Sequence, residues 1–395
     1  MQLLGSISEK ITLSNGETLI LCEAKESDMP DIKSLYYRVY GGKYTLAEVT
    51  DSDKMKWVIN DPNYLWLLLK NHSKIVSSVI FVVDPVHKIG KTIAGVVIPD
   101  YRGYKILKLL LKTGLNYFLN IRNFADLIYG IVRTFAPVSF HNSLKDLGFV
   151  DIGIFPNVRK VQKYETNGLK SVFKEGVLSQ RKATPNLIAP ANQIYEITRK
   201  KLGLENAVVE NDYLINNKLH TEFKEELFIE KSPEIEWEYY RHRDAGELLF
   251  DFFPFNYPQI KLFTRDHKTE VFIHFLEIDG YASITGIKTD QNNLIPILNK
   301  TSLYVEEMGI KYIEMLVSAY DIEKQKQCYS AHFLPCAYFP AASKEGSFRY
   351  DYLVFCRLFV PLTFEEMHFT EDSKPYAIAY HKINSKRILE DLEDD

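Results

Sequence analysis

Apolar and polar positions alternate over residues 10–23, with Ile11 and Leu13 on one side of Asn15-Gly16 and Leu19 and Leu21 on the other. That pattern predicts a β-hairpin. The period then changes. Ile32, Leu35, Tyr36 and Val39 share a helical face over residues 26–40. Ser27 or Asp28 can cap this helix, Pro30 fits its first turn and Gly41-Gly42 ends it. A second helix is expected over 51–60. Strands follow over 64–70, 75–83 and 91–98. After Pro99 the chain turns, and Ile106, Leu110, Gly114 and Phe118 recur at helical spacing. A strand over 127–133, a short helix over 137–147 ending at Gly148, and a strand over 149–155 complete the first half.

The pattern weakens from about 167 to 217, where Pro185 and Pro190 interrupt it. This stretch reads as a packed linker with a helix over 191–202, because it is not rich in Gly and Ser. The second half then repeats an order: strands over 270–277 and 282–287, a helix over 293–308, a strand over 311–317, a helix over 324–333 and a strand over 349–359. The recurrence is one of element order, without residue-level similarity. The acidic end, 386–395, reads as frayed.

Composition narrows the function classes. The chain has 395 residues, 46% hydrophobic and 25% charged, with a net charge of −4. That length predicts more than one domain. The slight negative charge speaks against nucleic acid as a partner. No apolar run approaches the roughly 20 residues that span a bilayer, so no membrane association is expected. The N-terminus lacks a basic region followed by a long apolar core, which predicts no signal peptide. Cys22, Cys328, Cys336 and Cys356 form no C-x-x-C pair. No metal site is expected, and free thiols in the cytoplasm are the simplest reading. The run Arg241-His242-Arg243-Asp244 reads as surface or interdomain salt bridging.

One segment carries chemistry. A β-branched run ends at Pro99, a tight turn holds Arg102 and Gly103, and a helix begins. Such a turn gathers unpaired backbone N–H groups and the positive end of a helix dipole at one spot. It is a ready site for a phosphate group.

These residues support a resemblance. Residues 1–165 resemble the GNAT superfamily of acyl-CoA N-acyltransferases in element order and in three local features. Val96-Val97-Ile98-Pro99-Asp100-Tyr101-Arg102-Gly103 resembles the family's V-x-P-x-Y-R-G segment, the strand over 127–133 followed by Thr134 resembles its next strand, and Asn142 with Gly148-Phe149 resembles its N-x-x-x-x-x-G-F signature. Within the superfamily, residues 131–157 are similar to the β-lysine acetyltransferase branch. The family loop reads [RQ]-x-x-G-x-[GA]. Here Arg102 fills the first place, while Lys105 and Leu107 stand at the fourth and sixth.

The resemblance implies an α+β fold of tandem GNAT-like domains, each a mixed, mostly antiparallel sheet flanked by helices. The implied organisation is a GNAT domain over 1–165, a linker over 166–217, a degenerate GNAT-like domain over 218–365 and a tail over 366–395. It implies acetyl-CoA or another acyl-CoA as cofactor and transfer to a primary amine of a small molecule or peptide, with a homodimer possible. Cofactor contacts fall on Val96, Val97, Ile98, Arg102, Gly103, Tyr104, Lys105, Ile106 and Asn142. Many relatives carry an acidic tyrosine at the position of Leu144, so Ser139 and His141 are the candidates to move a proton. Two alternatives stay open. One is a non-catalytic binding protein that kept the fold, favoured by Lys105, Leu107 and Leu144. The other is an enzyme using a longer acyl-CoA or an acyl-carrier protein, for which Lys105, Lys108 and Lys112 offer basic residues.

Overall fold

The hairpin, helix and strand periods of the first half are realised almost residue for residue. A computed structural model describes residues 7–160, 164–215, 223–365 and 367–394. The chain divides into two compact units. Unit 1 comprises Met1–Ile131, Ala136–Val150 and Ser171–Val177; unit 2 comprises Val132–Phe135, Asp151–Lys170 and Leu178–Asp395. No described helix is long and apolar enough to cross a membrane.

In unit 1 the order is β1 (Ser8–Thr12), β2 (Thr18–Glu23), α1 (Met29–Tyr40), α2 (Ala47–Thr50), α3 (Ser52–Asn60), β3 (Tyr64–Asn71), β4 (Lys74–Asp84), β5 (Ile89–Val97), α4 (Ile106–Asn116), β6 (Leu127–Arg133) and α5 (Val138–Asp146). The strands lie side by side in the order β1-β2-β3-β4-β5-β6. Every pairing is antiparallel except β5 with β6. α4 covers β4 at close range. A Cβ on Gly114 would stand 2.1 Å from the Phe81 ring, so only glycine lets helix and sheet approach this far. Phe81 and Phe118 fill the space beside it, with ring centroids 6.3 Å apart.

The chain continues through β7 (Val150–Lys160) and β8 (Tyr164–Phe173), then β9 (Asn186–Ile188), α6 (Ala189–Leu202), β10 (Val208–Glu210), β11 (Phe228–Lys231), α7 (Ile235–Asp244), β12 (Ile260–Phe263), β13 (Glu270–Leu276), β14 (Tyr281–Lys288), α8 (Ile295–Glu307), β15 (Tyr312–Ser318), α9 (Ile322–Ser330), β16 (Leu334–Glu345), β17 (Phe348–Leu358) and α10 (Lys374–Asp394). The unit 2 sheet runs β8-β7-β16-β17-β15-β14-β13-β12-β11. Its parallel pair is β14 with β15. β7 meets β16 at Gly153 and Ala337; a Cβ on Gly153 would lie 2.0 Å from that of Ala337.

The architecture is α+β, with mixed, mostly antiparallel sheets flanked by helices. The order β4-β5-α4-β6-α5-β7 recurs as β13-β14-α8-β15-α9-β16.

Four elements differ from the sequence expectation. β8 was expected as linker, because Glu165, Thr166, Asn167, Lys170 and Ser171 are polar and yet buried. Their partners come from distant residues: Arg133 makes a two-pronged ion pair with Glu165 at 2.6 and 2.7 Å, and Lys170 reaches Asp151 at 2.5 Å. β16 carries Pro335 and Pro340, which argue against a strand, but the register shifts beside both prolines and Ala341 has a φ of +55°. The run Arg241-His242-Arg243-Asp244, at the end of α7, reads as surface or interdomain salt bridging. Its Arg241 is exposed, but its His242 is buried. The acidic end, 386–395, is not frayed through its described length: it continues α10, and Arg387 and Glu390 are buried there.

Candidate acyl-donor site in unit 1

The site begins with a defect in β5. Ser78 pairs with Val96 but Ile80 pairs with Ile93, so β5 carries one extra residue between them. This is a β-bulge, and a glycine in a strand is a common sign of one. Ala94 adopts a φ of +56° there. Side chains hold it in place. The Tyr36 hydroxyl donates to the Ala94 carbonyl, Trp66 Nε1 donates to Ser78 Oγ at 2.7 Å, and Ser77 Oγ donates to the Val96 carbonyl at 2.8 Å. Burial drives the Tyr36 phenol well above its ordinary pKa, which keeps it a donor.

The bulge opens an edge. β5 runs parallel to β6 only from Ile89 opposite Leu127 to Thr92 opposite Gly130. Beyond Thr92 the two strands part. On the other side the ladder to β4 continues, with the Ile98 N–H bonded to the Val76 carbonyl at 3.0 Å. Successive residues of an antiparallel strand point their backbone groups to opposite edges. The N–H and C=O of Val97 therefore face the open side, away from β4.

The turn after β5 closes through Tyr101 N–H to the Ile98 carbonyl and Arg102 N–H to the Pro99 carbonyl, both 3.1 Å. Tyr101 anchors it to the N-terminal hairpin through Glu17 at 2.5 Å and Asn71 at 2.8 Å. Gly103 has a φ of +94°. Lys105, just before α4, has φ +56° and ψ +23° and makes no side-chain cap. The first helical bond is Leu109 N–H to the Lys105 carbonyl at 3.2 Å. Among the described residues no acceptor takes the N–H groups from Gly103 to Lys108. Amide donors at a helix start, beside the positive charges of Arg102 and Lys105, are an arrangement that can hold an anion.

Each expected residue has a definite place. Val96, Ile98 and Ile106 are each no more than 3% exposed. Their side chains belong to the core, so what they offer a ligand is backbone. Val97 is half-buried, whereas Arg102, Gly103, Tyr104 and Lys105 are exposed. Lys108 is committed to Asp146 at 2.6 Å, which holds that carboxyl below its usual range and ties α4 to α5. On α5, Ser139 and Asn142 are exposed and His141 is half-buried, its ring nitrogens shielded from solvent. Leu144 is 2% exposed and packs inward.

Two features escaped the sequence. The side chain of Leu107 lies over the bulge, its methyl carbons 3.5 and 3.6 Å from where a Cβ on Gly95 would be. Tyr36, Tyr40 and Tyr44 stack with centroids 4.7 to 6.3 Å apart. Only the Tyr36–Tyr40 step, four apart on α1, carried a signal; Tyr44 lies beyond the helix end at Gly41.

Comparison with solved structures found partial similarities to acetyltransferases. An acetyltransferase of the GNAT family from Streptococcus pneumoniae is 20% identical, covering 39% of this chain and 99% of its own, with a TM-score of 0.35. A spermidine N-acetyltransferase from Vibrio cholerae, in complex with CoA and spermine, is 17% identical over 40% of this chain and 95% of its own, with a TM-score of 0.34. A ribosomal-protein-S5-alanine acetyltransferase from Vibrio fischeri is 16% identical over 43% and 98%, with a TM-score of 0.36. No family model and no curated protein matches the sequence. The GNAT likeness is one of fold.

Unit 2 contains a second copy of the bulged strand, and its slot is filled. Phe272 pairs with Gly286 and Ile273 with Ile284, leaving Thr285 extra on β14. The parallel pairing of β14 with β15 ends at Ile284 opposite Met315. The open edge beyond is taken by Leu249, whose N–H donates to the Ile287 carbonyl at 2.7 Å while Ile287 N–H donates back at 2.9 Å. Counting from the bulges, Ile287 corresponds to Val97. The start of α8 is also closed. Gln327 Oε1 accepts from Leu294 N–H at 2.6 Å and Asn293 Oδ1 from Ile295 N–H at 3.2 Å.

Proposed function

We propose that unit 1 is an acyl-CoA-dependent N-acetyltransferase whose acceptor is a primary amine of a small molecule or peptide. The observation that carries this reading is the unsatisfied edge of β5 at Val97, continuous with the six free amides from Gly103 to Lys108. Buried or cleft-lining backbone groups without partners are rare, and a slot of this form fits an amide-bearing chain that ends in phosphates.

Bound acyl-CoA supplies the activated thioester carbonyl. The chain's residues do the rest. Val97 offers its C=O to the amide-bearing arm and its N–H to the thioester carbonyl. The amides of Gly103, Tyr104, Lys105 and Ile106, with Arg102 and the Lys105 ammonium, hold phosphate. A fixed backbone donor on the splayed part of β5 is placed to stabilise negative charge on an oxygen, which is worth roughly 3 kcal/mol in comparable sites. Asn142, Ser139 and His141 line the start of α5, where a proton can leave the amine. The Tyr36, Tyr40 and Tyr44 stack, joined to the bulge through Ala94, presents ring faces suited to an ammonium group.

Calorimetry with acetyl-CoA and with desulfo-CoA tests the donor half of the reading. Binding below millimolar concentration is expected for both, and absence of both sinks it. An amine-library screen that detects released thiol then identifies the acceptor. One observation favours a second reading, a binding protein without turnover: Leu107 crowds the bulge and Leu144 is buried where relatives carry a tyrosine. Binding with no thiol release from any amine selects it.

A further inference from the structure

We propose that Glu238, His242 and Glu270 of unit 2 form a binding site for one divalent first-row transition cation. Their ligand atoms, two carboxylate oxygens and one imidazole nitrogen, all lie within 4.8 Å of one another. Glu238 and His242 are four apart on α7 and so share a face. Glu270 opens β13.

The spacing is that of a coordination shell. Tetrahedral ligands at zinc distances stand roughly 3.4 Å apart. His242 Nε2 lies 3.3 Å from Glu270 Oε2 and 3.9 Å from Glu238 Oε1. This nitrogen is buried, the His242 side chain being 9% exposed, and it makes no hydrogen bond. A buried imidazole nitrogen that faces two carboxylate oxygens either carries a proton between them or shares a cation with them, and the second is the arrangement proposed here.

The surroundings orient the ligands. His242 Nδ1 is 2.5 Å from Glu247 Oε2. A carboxylate on the far ring nitrogen is the usual support of a metal-binding histidine, because it fixes the tautomer that leaves Nε2 bare. Glu238 gives its other oxygen to Lys261 at 2.7 Å, and His267 holds the other oxygen of Glu270 at 2.9 Å. Lys288 Nζ donates to the ligand oxygen, Glu270 Oε2, at 3.1 Å, and an entering cation would displace it. The full charged set is Glu230, Glu238, Glu247 and Glu270 against Lys261, Lys288 and the exposed Arg241. Glu238, 23% exposed, gives an ion its way in.

A cation here would pin α7 to β13. The chain that leaves α7 passes through Glu247 directly to Leu248 and Leu249, the segment that fills the slot beside β14. The ion would thus hold the plug of unit 2 in place. This inference stands apart from the acyl-CoA reading of unit 1.

The test uses the full chain, stripped with chelator and titrated calorimetrically with Zn²⁺, with Mg²⁺ as control. One Zn²⁺ per chain at micromolar affinity or tighter is expected, and Co²⁺ loading should give the visible absorption of a low-symmetry site. Glu238→Gln, which alters a partly exposed side chain, and His242→Ala should each weaken Zn²⁺ at least tenfold. Glu247→Gln should weaken it by about 10- to 100-fold through the ring orientation. A folded chain with no saturable Zn²⁺ site, or with affinity unchanged in Glu238→Gln, overturns the proposal. So does an imidazolium signal for His242 at neutral pH, with Zn²⁺ present, because a protonated ring cannot be a ligand.

Discussion

The bulged strands β5 and β14 solve one geometric problem in opposite ways. In both, an extra residue breaks the ladder and the neighbouring parallel strand falls away after four pairs. Each leaves an edge residue, Val97 or Ile287, with its backbone groups turned outward. Beside β14 the protein satisfies those groups itself, with Leu249 as a one-residue strand and with Gln327 and Asn293 on the helix start. Beside β5 no described residue does so, and Val97 is half-buried while Gly103, Tyr104 and Lys105 are exposed. One slot is closed by the chain's own groups; the other leaves its groups accessible, which is the contrast the proposed donor site rests on.

The largest effect should come from removing the outward donor at Val97. Val97→Pro deletes an N–H that faces the open edge and leaves the Ile98 bond to Val76 intact. Acetyl-transfer rate should fall about 100-fold or more, as when a single oxyanion donor is lost, while circular dichroism and Tm stay close to the parent. A transfer rate within a few-fold of the parent would remove the β5 edge from the chemistry. The counterpart in unit 2 is Gln327→Ala. It strands the Leu294 N–H and should cost about 1–3 kcal/mol of stability, read by denaturant unfolding. Acetyl-CoA affinity should not change. If affinity falls with it, the two slots are not independent.

Much of this contrast could be read before the structure, and the part that could not has a physical cause. The strand periods around residues 64–98 and the turn at Arg102-Gly103 are local patterns, and they appear where expected. The loop departure at Lys105 was visible too. Its backbone conformation was not: Lys105 takes the left-handed region, which favours glycine. The plug at Leu249 was invisible. Two hydrogen bonds from one residue of an aromatic loop leave no period in a sequence. β8 was lost for a related reason, because buried polar residues satisfied by Arg133 and Asp151 look like surface. His242 shows the same failure at a single position: a charge run predicts exposure, and the side chain is buried against three carboxylates.

Leu107 tests how open the slot beside β5 is. Its methyl groups lie over Gly95, where the GNAT loop motif calls for Gly or Ala. Leu107→Ala should tighten acetyl-CoA binding by roughly tenfold, about 1.4 kcal/mol, at some cost in stability from the lost apolar contact. Weaker binding would mean that the leucine is a wall the ligand uses, and that the slot takes a bulkier apolar group than acetyl.

The smallest effects separate charge from shape at the cradle. Arg102 and Lys105 are exposed, and neither has an ion-pair partner among the described residues, so each should contribute only about 0.5–1 kcal/mol toward a phosphate, screened by salt. Arg102→Ala and Lys105→Glu should weaken acetyl-CoA a few-fold, and the loss should shrink as ionic strength rises. Lys105→Gly splits the two roles of that residue. Removing the Cβ from a left-handed position relieves about 1 kcal/mol of strain, so Tm should rise, while loss of the ammonium should still weaken binding. If affinity instead holds or improves, the cradle works through its amides alone, and the lysine is a tolerated substitute for the glycine rather than a ligand.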